Sequence, residues 1–290
     1  MKIIKLKAGL GNQMFQYAFM RKLSIILPEE TIKSDIFYQT SINKFNLNLN
    51  PASTKDLENI CIFKHNHPYK RKVSEKLKII GEGLFNNSYF FERTHTYYNL
   101  ENIIKYNYYD GYWQSEKYFK DIRNILLKEF TLKTQYISKI EVISNQVQNE
   151  NSVFIGIRRG DYLTDKNTIK HFGVIKNTYY LDAIQYINEN TLNPVFYVFS
   201  DDIEWVKENI EFNCKVHFRD RENLLTDIEE LMIMASCKHA IIPNSTFHWW
   251  GAWLIKDASK IVIAPEGWFA DGTKTDIIPE EWIQIEAFAK

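Results

Sequence analysis

A chain of 290 residues is long enough for one large domain or two of medium size, and 45% hydrophobic against 25% charged residues is an ordinary globular balance. Lys+Arg and Asp+Glu stand at 36 each, which excludes a global basic field of the kind that gathers nucleic acid; any anion must be held by a local basic site. No apolar run approaches the roughly 20 residues of a membrane-spanning helix, and the N-terminal MKIIKLKAGLGNQ lacks the apolar stretch of a signal peptide.

In chain order, residues 3–7 read as a short strand, 8–11 as a turn and 13–27 as a helix stopped by Pro28. Strand, glycine turn and helix make the opening of an α/β domain. From about 37 to 107 the periodicity fades and Asn, Lys and Tyr dominate, so only weak elements are expected there. Helices are predicted over 114–128 and 135–148. After Asn149 the pattern becomes regular. Strands are predicted at 152–157, 194–199, 215–218, 239–242 and 260–264, alternating with helices at 176–189, 202–208, 223–236 and 245–255. That alternation predicts a doubly wound parallel sheet, with a domain boundary near 150 and ligands at the strand C-terminal ends. The three cysteines, Cys61, Cys214 and Cys237, are odd in number and widely spaced, as in a protein of a reducing compartment with no disulfide framework or zinc site.

Four segments carry chemistry. In GLGNQMFQYA, Gly9 and Gly11 let backbone N–H groups come close to a ligand and Asn12 is suited to cap the helix. The segment is neither a dinucleotide fingerprint nor a phosphate loop, and reads as a tight turn or a ligand loop; the polar pair Asn12–Gln13 favours the ligand. FIGIRRGDY ends a strand with two adjacent guanidiniums, Arg158 and Arg159, and with Asp161 in position to orient one of them. Arginine forks suit phosphate oxygens, although surface carboxylates could equally pair them. In FSDDIEW, the adjacent Asp201 and Asp202 invite a metal, but Asp201 with Glu204 matches a capping box, and Ser200 lies at the strand end beside the ligand. In PNSTFHWWGAWL, a strand end runs into a helix whose first N–H groups, with the Ser245 and Thr246 hydroxyls, can hold an anion. Trp249 and Trp253 share a helix face that packs on the sheet, and His248 reads as a structural residue. Between the arginines and the Ser245 helix start, on neighbouring strand ends, a nucleotide diphospho-compound fits.

Taken in order, GLGNQMFQYA, GYWQSEKYF, GIRRGDY, FSDDIEW and NSTFHWWGAWL resemble glycosyltransferase family 11, the α-1,2-fucosyltransferases that use GDP-fucose. The resemblance runs from Gly9 to Leu254 and is to the compact bacterial members. It implies a glycosyltransferase-B type fold, two Rossmann-like domains facing across a cleft, with residues 1–150 on the acceptor side and 151–290 binding GDP-fucose. The implied reaction is an inverting transfer of L-fucose to the 2-hydroxyl of a terminal β-galactoside, lipid-linked in an O-antigen, lipopolysaccharide or capsule. It needs no metal and no cofactor beyond the donor substrate. The implied location is cytoplasmic, at most peripheral at the inner face of the membrane. Carried over position by position, Arg158 meets the β-phosphate, with Arg159 and Asp161 shaping its loop. Asn244, Ser245, Thr246 and Phe247 hold phosphates from the helix start, and the loop from Gly9 to Gln13 reaches the sugar and pyrophosphate. The implied catalytic residues are Arg158 and Asp161; no carboxylate declares itself as base, Asp35, Glu116 and Asp161 being open, and a route in which the leaving diphosphate takes the proton needs none. Two positions depart from the pattern. The wider fucosyltransferase motif H-x-R-R-x-D has Gly156 in place of its histidine, so any role of that imidazole is absent or supplied elsewhere. The acid that would accept from guanine is Glu230 rather than aspartate, with Asp227 one turn earlier.

Overall fold

The computed structural model describes residues 1–36, 41–60, 89–159, 166–219 and 225–288. Two compact units make up the chain: Met1–Ile42 with Leu47–Phe130, and Asn43–Asn46 with Thr131–Lys290.

The first unit opens with strand β1 (Lys2–Leu6), helix α1 (Leu10–Ile26) and strand β2 (Ile32–Ile36). Helix α2 (Thr54–Ile60), strand β3 (Tyr89–Phe91), the single-turn helix α3 (Leu100–Ile103) and strand β4 (Tyr108–Asp110) follow. The four strands form one parallel sheet in the order β2-β1-β4-β3. Every residue of β1 is buried, lysines included, and each lysine is tied down: Lys2 donates to the Ile104 and Tyr106 carbonyls at 2.6 and 2.8 Å. Lys5 reaches Asp110 on β4 at 3.1 Å. Strands β2, β3 and β4 lie in or beside the stretch that showed little periodicity.

Where one helix was expected over 114–128, the chain makes two 3₁₀ turns (Glu116–Tyr118 and Lys120–Ile122) before helix α4 (Arg123–Glu129). The cause is the core. Trp113, Tyr118 and Phe119 are all buried against α1: Trp113 stacks on Phe19 with centroids 4.0 Å apart, Tyr118 packs edge-on to Phe19, and Phe119 meets Phe15. Phe119 is fully buried with non-helical backbone angles (φ −146°, ψ 5°), which breaks the run between the two turns.

The second unit begins with a 3₁₀ turn (Thr134–Tyr136) and helix α5 (Glu141–Asn149), which replace the helix predicted over 135–148. Six strands follow: β5 (Asn151–Ile157), β6 (Pro194–Ser200), β7 (Val216–Phe218), β8 (His239–Ile241), β9 (Val262–Glu266) and β10 (Ile283–Glu286). Helices α6 (Lys166–Phe172) and α7 (Asn177–Asn190) connect β5 to β6, α8 (Ile203–Asn209) leads to β7, α9 (Asp227–Ser236) to β8 and α10 (Thr246–Leu254) to β9. Helix α5 packs against α9, which is why residues 131–150 go with this unit although the change in periodicity comes only near 150.

All six strands are parallel in the order β10-β9-β8-β5-β6-β7. That is the doubly wound order, and the connections reverse direction between β5 and β8. One face of β5 presents Val153, Ile155 and Ile157 to Tyr179, Tyr180, Ala183 and Ile184 of α7 in a dry core. Phe154 and Gly156 alternate onto the opposite face, toward α10. The chain is thus an α/β protein with two parallel sheets.

Candidate functional site

Open α/β sheets take ligands where the connections reverse, here at the ends of β5 and β8, so the candidate residues are those just past Ile157 and Ile241. Arg158 and Arg159 follow β5 directly and separate at once. The guanidinium carbon of Arg159 lies over the Trp205 ring, 3.6 Å from its centroid, with Nε 3.5 Å from Asp202 Oδ2. Its backbone N–H donates to Asp201 Oδ1 at 2.9 Å. Arg158 continues the Phe154–Gly156 face instead and lies near enough to His248 that its charge acts on the ring. The two cations are therefore not left facing each other: one is anchored on α8, the other is directed to the α10 side. Asp161 lies outside the described residues.

The acids of FSDDIEW are engaged in shaping this end. The cap of α8 is Asp202, whose Oδ1 accepts from the Trp205 N–H at 3.2 Å, and not Asp201, which instead holds the arginine loop. The expected pairing of Asp201 with Glu204 does not form; Glu204 meets Lys207 at 2.8 Å. Ser200, the last residue of β6, accepts from the Asp202 N–H at 3.0 Å. Among the described residues no three His, Cys, Asp or Glu come together as a metal-holding group.

Beyond β8, Asn244 is buried and its amide donates to the Phe172 and Trp268 carbonyls at 2.7 and 3.1 Å, tying α6 and the segment after β9 to this strand end. Ser245 is the N-cap of α10, but its hydroxyl makes no capping bond, which leaves the first N–H groups of the helix without a side-chain partner there. Thr246 and Phe247 are half-buried at the helix start. Trp249 and Trp253 are core residues as their spacing predicts, parallel at 6.0 Å, with Trp249 donating to the Ile277 carbonyl. His248 is buried, and burial first, with the Arg158 charge second, pushes its pKa down to about 3, so the ring is neutral. Guanidinium and helix N-terminus together make a site suited to an oxyanion.

Arg219 follows β7, and the Glu230 charge on α9 favours its protonated state against the cost of burial, which lowers its pKa. Asp227 is the first residue of α9, its Oδ1 accepting from the Ile228 N–H at 2.8 Å. The carboxylate reaching back over the helix start belongs to Glu229, whose Oε2 accepts from the Thr226 N–H at 2.8 Å.

In the first unit, the GLGNQ loop follows β1. Here the N-cap of α1 is Gly9, not Asn12, because the helix begins at Leu10 and places Asn12 inside its first turn. Asn12 Oδ1 instead accepts from Gln114 at 2.7 Å, which links GLGNQ to GYWQS. The left-handed residue of the turn is Ala8 (φ 64°), and the buried Gln13 donates to its carbonyl. Gly9 is exposed, and a Cβ added to it would meet nothing within 4 Å, so the space over it is open. Gly11 is buried within α1.

Sequence reasoning missed Glu92. It sits just past β3, its carboxylate accepting from the Tyr112 N–H at 2.5 Å and the Trp113 N–H at 3.3 Å, and burial pushes its pKa up to about 7. Beside it, Asp110 is buried among Lys5, Lys7 and the Tyr89 hydroxyl. Of the other carboxyl candidates, Asp35 accepts from the Tyr108 hydroxyl at 2.5 Å and Glu116 is buried in a 3₁₀ turn. No local pattern marks Glu92, since its environment comes from residues about twenty positions away.

The family described as glycosyl transferase family 11 matches residues 1–286. An Escherichia coli protein named O-antigen biosynthesis glycosyltransferase WbnK is 30% identical, over 97% of this chain and 99% of its own. An alpha-1,2-colitosyltransferase of Escherichia coli is 31% identical over 98% of each chain. Among solved structures, an Arabidopsis thaliana FUT1 variant in complex with GDP superposes with a TM-score of 0.56 at 12% identity, over 92% of this chain and 70% of that one, a likeness of fold. With the family matched over nearly all of its length and two relatives of full length, the chain belongs to glycosyl transferase family 11.

Proposed function

We propose that the protein transfers L-fucose from GDP-fucose, with inversion at the anomeric carbon, to the 2-hydroxyl of a terminal β-galactoside in a surface glycan such as an O-antigen or capsule repeat. The observation that carries this reading is the meeting of Arg158 with the uncapped start of α10 at the β5/β8 reversal, where a leaving diphosphate needs positive charge. The names of two relatives support the setting, one through O-antigen biosynthesis and the other through the α-1,2 linkage. Donor binding falls to the second unit and acceptor binding to the first.

In this reading the α10 N–H groups and Arg158 hold the diphosphate and stabilise its charge as the glycosidic bond breaks, the work a divalent metal does in other glycosyltransferases. Arg159, fixed on Trp205 and Asp202, keeps the arginine loop in shape. Glu230, on α9, accepts from the guanine edge, and the open space over Gly9 admits a substrate to the first unit's loop.

A second reading keeps everything but the sugar. Because one full-length relative is a colitosyltransferase, the donor could carry a deoxygenated analogue of fucose. A site that hydrogen-bonds a hydroxyl rejects a substrate lacking it strongly, whereas an apolar pocket discriminates weakly. The test is release of GDP from GDP-fucose and from GDP-colitose, with and without a panel of β-galactosides, and the linkage of the product read by NMR. Acceptor-dependent release from GDP-fucose with an α-1,2 product is expected. Turnover of GDP-colitose alone would replace the donor, and no acceptor-dependent release from either would defeat both readings.

A further inference from the structure

The first sheet has a reversal of its own. In the order β2-β1-β4-β3 the chain steps from β1 to β2 on one side and returns to β3 and β4 on the other. Open parallel sheets take ligands outside the strand C-terminal ends at such a point. The residues there are Lys7 and Gly9 after β1, Tyr112 after β4, and Phe91 and Glu92 at the end of the neighbouring β3. Phe91 is 51% exposed and is the only exposed aromatic side chain among the described residues. The two residues before it are spent on packing: Tyr89 stacks on Tyr108, and Phe90 meets Tyr98, Tyr106 and Trp113.

A single exposed apolar residue is ordinary; the surroundings of this one are not. Lys7 Nζ lies 5.9 Å from the centroid of the Phe91 ring and 4.6 Å from that of the half-buried Tyr112. Asp110 Oδ1 accepts from it at 2.5 Å, which fixes the ammonium beside both rings. An ammonium has three N–H donors, and among the described residues Lys7 Nζ gives one of them, in a side chain 19% exposed. The turn beneath is held from below, since Glu92 accepts from the Tyr112 and Trp113 N–H groups and a Cβ on Gly111 would stand 2.9 Å from its Oε2. Because Lys7 is already paired with Asp110, the place suits a neutral ligand better than a phosphate. A flat apolar ring with a few fixed polar groups beside it is what a pyranoside needs, its C–H face for the ring and its hydroxyl edge for the donors. In a β-galactoside the axial 4-hydroxyl leaves H3, H4 and H5 together on one face.

We propose that Phe91 is the platform of an acceptor-sugar subsite in the first unit, the C–H face of the terminal β-galactoside lying on its ring beside Lys7. This rests on the reading that the first unit binds the acceptor, and the experiment separates the two. Saturation-transfer NMR on the full-length protein, with methyl β-D-galactoside and lactose as probes, is run for the parent, Phe91→Ala and Phe91→Trp. Tm should be nearly the same in all three, because the ring is exposed. The parent should saturate H3, H4 and H5 of the galactose most strongly; alanine should abolish that pattern and tryptophan should keep it. In turnover, Phe91→Ala should raise the acceptor KM about three- to tenfold, the scale of one ring contact, and leave the KM for GDP-fucose unchanged. If Phe91→Ala takes up saturation like the parent and keeps the acceptor KM, the inference fails and the acceptor reading stands. An equal rise in both KM values would mark a general distortion and defeat it as well. If the parent saturates neither probe and galactosides elicit no transfer, the acceptor reading falls and the subsite falls with it.

Discussion

Arg158 and Arg159 are neighbours in sequence, yet the fold gives them different work, because successive side chains leave a strand on opposite faces. Arg159 is consumed by Trp205 and Asp202, and only Arg158 stays with the α10 start. Arg158→Ala should therefore leave far-ultraviolet circular dichroism and Tm nearly unchanged while lowering kcat/KM by about 10²–10³, the usual cost of one transition-state donor. A folded variant with unaltered kcat/KM would remove Arg158 from the mechanism. The residue scale is also where the sequence was most informative and least complete. Arginine, serine and glycine at strand ends announce themselves through their chemistry. His248 and Glu92 do not, because what sets them apart is burial, a property of residues brought in from elsewhere in the chain.

Among the elements, β5 and β6 of the second sheet were legible as long apolar runs, NSVFIGI and PVFYVFS, whereas β10, with its alternating IQIE, was not foreseen. Strands β3 and β4 have three residues each, too few for any period to show, and their tyrosines and Asp110 look solvent-facing until paired. The start of α1 offers a separable test of its loop. Gly9 has extended backbone angles (φ −71°, ψ 173°) that any residue adopts, and serine is at least as good an N-cap. Gly9→Ser should keep or slightly raise Tm, yet lower kcat/KM several-fold by filling the open space; unchanged kcat/KM would mean that no substrate comes close there. Strand β3 and the turn after β4 carry a pH signature. Burial raises the folded pKa of Glu92 from the usual 4.5 to about 7, so its protonated form is the one the fold favours. Its contribution is fully present below about pH 4.5 and is lost as pH rises through 7. Glu92→Gln should accordingly match the parent's Tm near pH 4 and exceed it at pH 8, and a gap of the same size at both values would contradict this.

For the molecule as a whole, two parallel sheets and a family assignment were within reach of the sequence, because five motifs in fixed order span nearly its whole length. The cut between the units was not, since it depends on α5 packing on α9 rather than on any change in composition. No helix among the described residues is long and apolar enough to cross a membrane. Because Asp201 and Asp202 hold the Arg159 loop and cap α8, transfer activity should persist in excess EDTA. Abolition by chelator with recovery on adding Mn²⁺ or Mg²⁺ would assign those carboxylates to a metal instead.

Gly156, which β5 turns toward His248 of α10, constrains how such a sequence can drift. Histidine at 156 and histidine at 248 exclude each other, since even a methyl group at 156 would overlap the ring. A lineage passing from one arrangement to the other cannot gain the second imidazole before losing the first. It must go through an intermediate with a small residue at both positions and an empty slot beside Arg158, tolerable only where stability is in surplus. The pair should therefore be inherited together, and either half grafted alone into a relative of the opposite type should do harm that the matching half repairs.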